Sequence, residues 1–280
     1  MILNASGCLD ALTAPDTARQ LDAFVTKTVT PLPRVGNAPV RIVETDVGML
    51  NSIGLANPGR ERFLAETLPA LRELGMPLWI SVGGFAAAEY AETCALLEDV
   101  TIELNLSCPN VDEAADSAAE IVAACRAATE LPLYAKLSPA LPQVPEVALA
   151  VEAAGADGLS LVNTIRGLAL DPRTLKPTLG SAVGGLSGPA LKPVALAAVY
   201  ACRRVTELPI VGMGGVMSGR DALELLAAGA THVALGTVLF TDNEAPSRVG
   251  AELAVEAASH GFADPWESSG AAHECVASLD

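Results

Sequence analysis

One cysteine, two lysines and four asparagines stand at or near the ends of strand-like runs in this 280-residue chain. Cys108 sits in ELNLSCPN (103–110), where Ile102, Leu104 and Leu106 alternate with polar residues until Ser107, Cys108, Pro109 and Asn110 break the pattern. A free cysteine is most often a small buried filler, but one at a strand-to-loop junction can also handle a proton. Lys27 lies in VTKTV and Lys136 in YAKLS; Lys176 and Lys192 are the chain's other two lysines. An ammonium inside an apolar run is costly unless it snorkels out or finds a partner, so two of them point to an anionic or electron-rich ligand. Asn51, Asn105, Asn110 and Asn163 each offer one acceptor and two donors in a plane. That matches the alternating N–H and C=O edge of a pyrimidine or a flavin, although any one of them could be capping a turn.

Eight strand-like runs would position these groups: 2–7, 23–29, 78–84, 101–107, 133–139, 158–164, 209–215 and 232–237. Most are nearly continuous in apolar residues, as strands buried on both faces should be. Helical spacing of apolar residues recurs between them, over 61–75, 117–130, 143–156, 192–207 and 218–230. Two of these segments end in Ala-Gly-Ala before a strand, where glycine suits the position just past a helix. The pattern predicts a single α/β domain over 1–280, a (β/α)8 TIM barrel. The rival, a doubly wound sheet, usually carries G-x-G-x-x-G after its first strand, and ASGCLDA does not supply it. A barrel places its site at the C-terminal strand ends, with phosphate held after strands seven and eight. GMGG (212–215), the helix start at Ser218 and GT (236–237) fall there. Two long excursions, 30–60 and 165–190, read as functional loops, lids or oligomer contacts. The polar tail after about residue 264 reads as packing outside the barrel.

Composition narrows the classes. Lys and Arg number 17 against 33 Asp and Glu, a net charge of −16, which argues against nucleic-acid or anionic-membrane partners. Six dispersed cysteines without a C-x-x-C pair read as reduced thiols in a cytoplasmic protein. Three histidines and no Cys/His cluster argue against a metal site. No basic leader or long apolar stretch suggests a signal peptide or a membrane span. From the residues alone, the reading is a phosphate-bearing planar cofactor, a flavin, with Cys108 moving a proton for a small planar substrate.

Taken together, FVTKTVT, PRVGNAPVRIVETDVGMLNSIGLANPG, ELNLSCPN, YAKLSP, LVNTIRGLALD, VGGLSGPALKPVAL, PIVGMGGV and ALGT resemble class 1 dihydroorotate dehydrogenases, in family order from about residue 4 to 240. GGLSGPALKP is closer to the class 1B catalytic subunit, which works with a second subunit carrying FAD and a [2Fe–2S] cluster and is NAD-linked. The resemblance implies FMN-dependent oxidation of dihydroorotate to orotate in pyrimidine biosynthesis, with Cys108 as general base and hydride transfer to flavin N5. It implies that Ala5, Ser6, Gly7, Lys27, Thr28, Asn105, Lys136 and Val162 surround the flavin, with Lys136 at the N1/O2 edge. Gly188, Gly214, Gly215, Gly236 and Thr237 would enclose its phosphate. Lys27, Asn51, Asn110, Asn163 and Thr164 would bind substrate, and Gly48, Met49 and Leu50 would turn amides to its carboxylate. A homodimer, or a heterotetramer with two FAD/iron–sulfur subunits, is implied as well.

The chain departs from the family pattern where VDEAADSAAE follows SCPN directly, in place of a longer glycine-rich loop, and where strand three ends in VGG without an asparagine. Alternative readings are a flavin-dependent pyrimidine reductase, a fumarate-linked class 1A enzyme, and a flavin-free, non-catalytic barrel. The first lacks a use for a carboxylate site, and the last would be colourless.

Overall fold

A computed structural model of the chain describes residues 1–106, 117–139 and 143–274. Strands in chain order are β1 (Ile2–Asn4), β2 (Phe24–Val25), β3 (Ile42–Thr45), β4 (Gly48–Asn51), β5 (Leu78–Val82), β6 (Thr101–Asn105), β7 (Leu133–Leu137), β8 (Gly158–Leu161), β9 (Ile165–Leu168), β10 (Val183–Ser187), β11 (Ile210–Met213) and β12 (His232–Leu235). Eight of them form a parallel sheet in the order β1-β12-β11-β8-β7-β6-β5-β2. Each of the eight expected runs contains one of these strands. The sheet closes between its outer members, where Leu3 bridges Ala23 in parallel fashion. At this seam the Asn4 side chain does the work of a missing backbone ladder. Its Nδ2 donates to Val25 O and its Oδ1 accepts from Val25 N, both at 2.8 Å. The result is a (β/α)8 barrel.

Alternation along the strands separates two apolar clusters. Leu3, Ala23, Val25, Trp79, Tyr134, Val211, Met213 and Ala234 come only from strands or their edges and fill the barrel. Trp79 and Tyr134 meet there with ring centroids 4.4 Å apart. The intervening residues, such as Ile80, Ile102, Leu104 and Leu159, pack outward beneath the helices. Those helices are Ala87–Cys94, Ala118–Ala128, Val144–Ala153, Lys192–Arg203, Gly219–Ala227 and Ala245–Ser259. The helix beginning Val144 and the one beginning Gly219 end as their Ala-Gly-Ala sequences suggest. Gly155 and Gly229 take φ of +102° and +116°. The N–H of Ala156 reaches back to Val151 O, and that of Ala230 to Leu225 O, each 3.0 Å. Pro69 marks the helix expected over 61–75. It has no N–H to give, and the turn before it, Phe63–Thr67, widens to π geometry, with Leu68 N–H bonded to Phe63 O. Among the described residues no helix is long and apolar enough to cross a membrane.

The two excursions are more ordered than their composition suggests. They pair with each other in a four-stranded antiparallel sheet, order β3-β4-β10-β9, with Asn51 opposite Gly185 and Leu50 opposite Leu186. The tail, as far as it is described, packs outside the barrel: His273 stacks on Tyr200 at 4.1 Å, and Ser269 Oγ donates to Ala230 O.

Candidate active site at the barrel mouth

A relay of small polar side chains crosses the C-terminal ends of five strands. Beyond β1, Ser6 Oγ donates to Thr26 O at 2.8 Å and lies 3.4 Å from Thr28 Oγ1. Thr28 Oγ1 is 3.0 Å from Ser81 Oγ of β5 and accepts from Asn105 Nδ2 of β6 at 3.2 Å. Asn105 Oδ1 accepts from Asn163 Nδ2, beyond β8, at 3.2 Å, and Asn163 Oδ1 accepts from Thr164 N–H at 2.8 Å. Tyr90 OH, from the first outer helix, donates to Asn105 O at 2.8 Å and steadies the end of β6. The two carboxamides are thereby held in defined orientations. Val162, buried beside them, donates its N–H to Met213 O across to β11.

The two lysines differ in environment. Lys136 is fully inside the barrel, and its Nζ lies 3.3 Å from Glu103 Oε1, the side chains being 6% and 2% exposed. Glu103 escaped the sequence reading. The available signal was a glutamate two residues before Asn105, hence on the same inward face of β6. Lys27 is half-buried at the mouth, and no ion pair among the described residues includes it. The turn at Gly7 lies flat against its stem, so that a β-carbon there would come within 2.8 Å of Lys27 Cδ. Burial pushes the Lys27 ammonium below its ordinary value; the Cys8 thiol opposes this and Lys136 adds to it. Burial likewise raises the Cys8 thiol, against the pull of Lys136 and Lys27. A cavity of about 620 Å³ opens beside Lys27, lined by Gly7, Cys8, Asn57, Phe63 and Phe240 among others.

The phosphate end needs one correction. The amides at the Ser218 helix start are already taken. Asp221 accepts from Met217 and Ser218 N–H at 2.9 and 3.0 Å, and Glu252 accepts from Gly219 N–H at 2.8 Å. The N–H groups of Gly214, Gly215 and Gly236, at the ends of neighbouring β11 and β12, have no partner among the described residues. A β-carbon on Gly236 would meet nothing nearer than Ala5 at 3.9 Å, so the space above β12 is open. Gly188 comes in from the excursion, its carbonyl 2.9 Å from where a Gly215 β-carbon would stand, and Thr237 opens the turn after β12.

On the substrate side, a β-carbon on Gly185 would fall 2.1 Å from Thr164 Oγ1. This contact seats the antiparallel sheet on the mouth, with Asn51 opposite Gly185 and its Nδ2 3.4 Å from Gly185 O. The expectation for Gly48, Met49 and Leu50 changes here. β4 is an inner strand, paired with both β3 and β10, so its N–H groups point along the sheet at neighbouring strands. The amides without a partner among the described residues come just after it, at Ile53, Gly54 and Leu55. Gly54 and Leu55 hold φ of +73° and +56°, a left-handed state that costs a leucine roughly 1–2 kcal/mol. Successive free amides in such a turn form an anion-binding concavity. Cys108 and Asn110 lie outside the described residues.

A parallel barrel with hydrogen-bonding groups and a cation gathered at the C-terminal mouth is the usual layout of a (β/α)8-barrel enzyme. A family model for dihydroorotate dehydrogenase matches residues 1–256. The chain belongs to the dihydroorotate dehydrogenase family. Among its relatives, a Listeria monocytogenes serotype 4b protein is 43% identical over 255 residues, spanning 86% of this chain and 84% of its own length. One from Latilactobacillus sakei is 44% identical over 259 residues, with 86% and 84% covered. One from Desulforudis audaxviator is 43% identical over 265 residues, with 90% and 86% covered. All three are named dihydroorotate dehydrogenase B (NAD(+)), catalytic subunit, in line with the class 1B resemblance of GGLSGPALKP.

Proposed function

We propose that the chain oxidises dihydroorotate to orotate with FMN, as the catalytic subunit of an NAD+-linked enzyme. The observation that carries the reading is the relay from Ser6 to Thr164, which presents fixed carboxamides beside the Lys27 ammonium, a cation that no ion pair among the described residues includes. The residues fit FMN. Gly214, Gly215 and Gly236 offer amides without a partner among the described residues for its phosphate, with Gly188 and Thr237 at the rim and no side chain crowding Gly236. Ala5, Ser6, Gly7, Thr28, Asn105, Lys136 and Val162 would surround the ring. When bound, FMN supplies a hydride acceptor.

Asn51, Asn110, Asn163 and Thr164 bind the pyrimidine, and Lys27 together with the amides of Ile53, Gly54 and Leu55 takes its carboxylate. Cys108 accepts the proton from C5 while the hydride leaves C6, and the C5–C6 bond becomes double. A thiol of ordinary pKa is mostly protonated near neutrality, so a base at this position needs surroundings that favour the thiolate. A partner subunit bearing FAD and [2Fe–2S] would supply the electron route to NAD+. The free thiols of Cys8, Cys94, Cys125 and Cys202 suit a reducing, cytoplasmic setting.

The test is to release the cofactor by denaturation, identify it by chromatography, and assay orotate formation with an artificial acceptor. FAD as the main species, or FMN without dihydroorotate turnover, overturns the proposal.

A further inference from the structure

The Glu103–Lys136 pair adjoins the relay inside the barrel, Lys136 in register with Asn105 and Glu103 with Ser81. Ser81 stands in register with Glu103, and Ser160 with Lys136, so four neighbouring strands, β5 to β8, contribute a polar layer inside the barrel. Asn105 is the other register partner of Lys136 and joins this layer to the mouth. The layer is not internally satisfied: Ser160 Oγ is fully buried and has no hydrogen-bond partner among the described residues. Taking two ions out of water costs several kcal/mol each, and an apolar pair of similar volume often serves stability as well or better. Stability is therefore a poor reason for placing a carboxylate here.

Charge balance supplies a better one. Burial, and to a lesser degree the nearby Lys136 cation, disfavour the charge on Lys27. With Glu103 the group carries one net positive charge; without it, two. Beside a flavin, each uncompensated cation stabilises the negative charge added on reduction and makes the cofactor a stronger oxidant. A cofactor that must give its electrons up again cannot hold them too tightly.

We propose that Glu103 is a positioning residue for the reaction: it holds the Lys136 ammonium under the flavin and offsets its charge, keeping the cofactor's reduction potential low enough for electrons to leave. This rests on the FMN reading above.

The test uses the full chain carrying FMN, with midpoint potentials measured by dye-equilibrated titration of flavin absorbance. Glu103→Gln should favour the reduced cofactor by tenfold or more, about +30 mV for a two-electron couple. Glu103→Asp keeps the charge but draws it back by one methylene, so its potential should lie between those of Glu103→Gln and the wild type. An unchanged or lowered potential in Glu103→Gln overturns the proposal. Should that variant fail to hold FMN, Glu103→Asp decides: a raised potential supports it, and an unchanged or lowered one overturns it. Failure of both variants to fold would reduce the pair to scaffold and overturn it as well. Wild-type protein lacking FMN would instead sink the function reading, whereas wild-type FMN with unshifted variants sinks only the role of Glu103.

Discussion

At the residue scale, the roles proposed for Cys108 and Lys27 can each be tested by substitution. Cys108→Ala should leave FMN bound yet lower dihydroorotate oxidation by about 10²–10⁴-fold, the usual worth of a general base. Cys108→Ser should recover part of this with its optimum moved to higher pH, since a hydroxyl is the weaker acid. Retention of most turnover by the alanine variant, in steady-state assays with flavin content checked, would reassign the base. Lys27→Met should weaken orotate binding by one to three orders of magnitude, about 1.5–4 kcal/mol, and uracil binding much less. Equal losses for both ligands would mean that Lys27 serves the ring and not the carboxylate. The pH dependence has a definite sign. Burial holds the ammonium below its ordinary 10.5, so orotate affinity due to Lys27 should fade as pH rises through that lowered value. The same shift means that the empty fold binds this proton less well than the unfolded chain does. The penalty is full below the folded value and disappears as pH approaches 10.5. Ligand-free Lys27→Met should therefore melt higher than wild type near neutral pH, and the gap should close in alkaline buffer.

The seam between β1 and β2 and the excursion sheet matter most at the scale of elements. β2 is only two residues long, so barrel closure leans on the Asn4 side chain. Asn4→Ala removes two bonds of 2.8 Å in a fully buried setting and strands the N–H and C=O of Val25. Leaving both unsatisfied should cost about 2–4 kcal/mol, visible as a lower denaturant midpoint. A change below 0.5 kcal/mol would mean that the ladder alone closes the barrel. The excursion sheet acts through contact: because Gly185 has no side chain, Thr164 can touch it, and Asn51 is brought to the mouth in register. The sheet is therefore part of the site, not a loop above it.

The whole molecule is acidic on average, at −16, yet its candidate site concentrates cations. Its excursions also expose apolar side chains, with Val40, Leu170 and Leu175 between 49% and 72% accessible. That pattern fits a covered face, and we expect a homodimer. Sedimentation velocity should report twice the chain mass, and Leu170→Glu combined with Leu175→Glu should shift it towards the monomer. A wild-type monomer at micromolar concentration would contradict this.

Much was legible in the residues themselves. The eight barrel strands announce themselves as apolar runs because parallel strands are buried on both faces. The mouth residues Asn105, Lys136 and Asn163 follow from one rule, that function collects at the C-terminal strand ends. Local signals of this kind need no knowledge of what lies across the fold. The rest depended on contacts between distant segments. Residues 30–60 and 165–190 look like loops because each is rich in Gly and Pro, and pairing across more than 130 positions, as between Asn51 and Gly185, leaves no periodic trace in either. The same pairing withdrew the amides of Met49 and Leu50 and left those of Ile53, Gly54 and Leu55 without a partner among the described residues. Glu103 reads as one more polar residue in a strand until the barrel closes and sets it 3.3 Å from Lys136. Period and composition determine which elements form and which way their faces turn; only tertiary closure decides which charges meet and which hydrogen-bond donors remain open to a ligand.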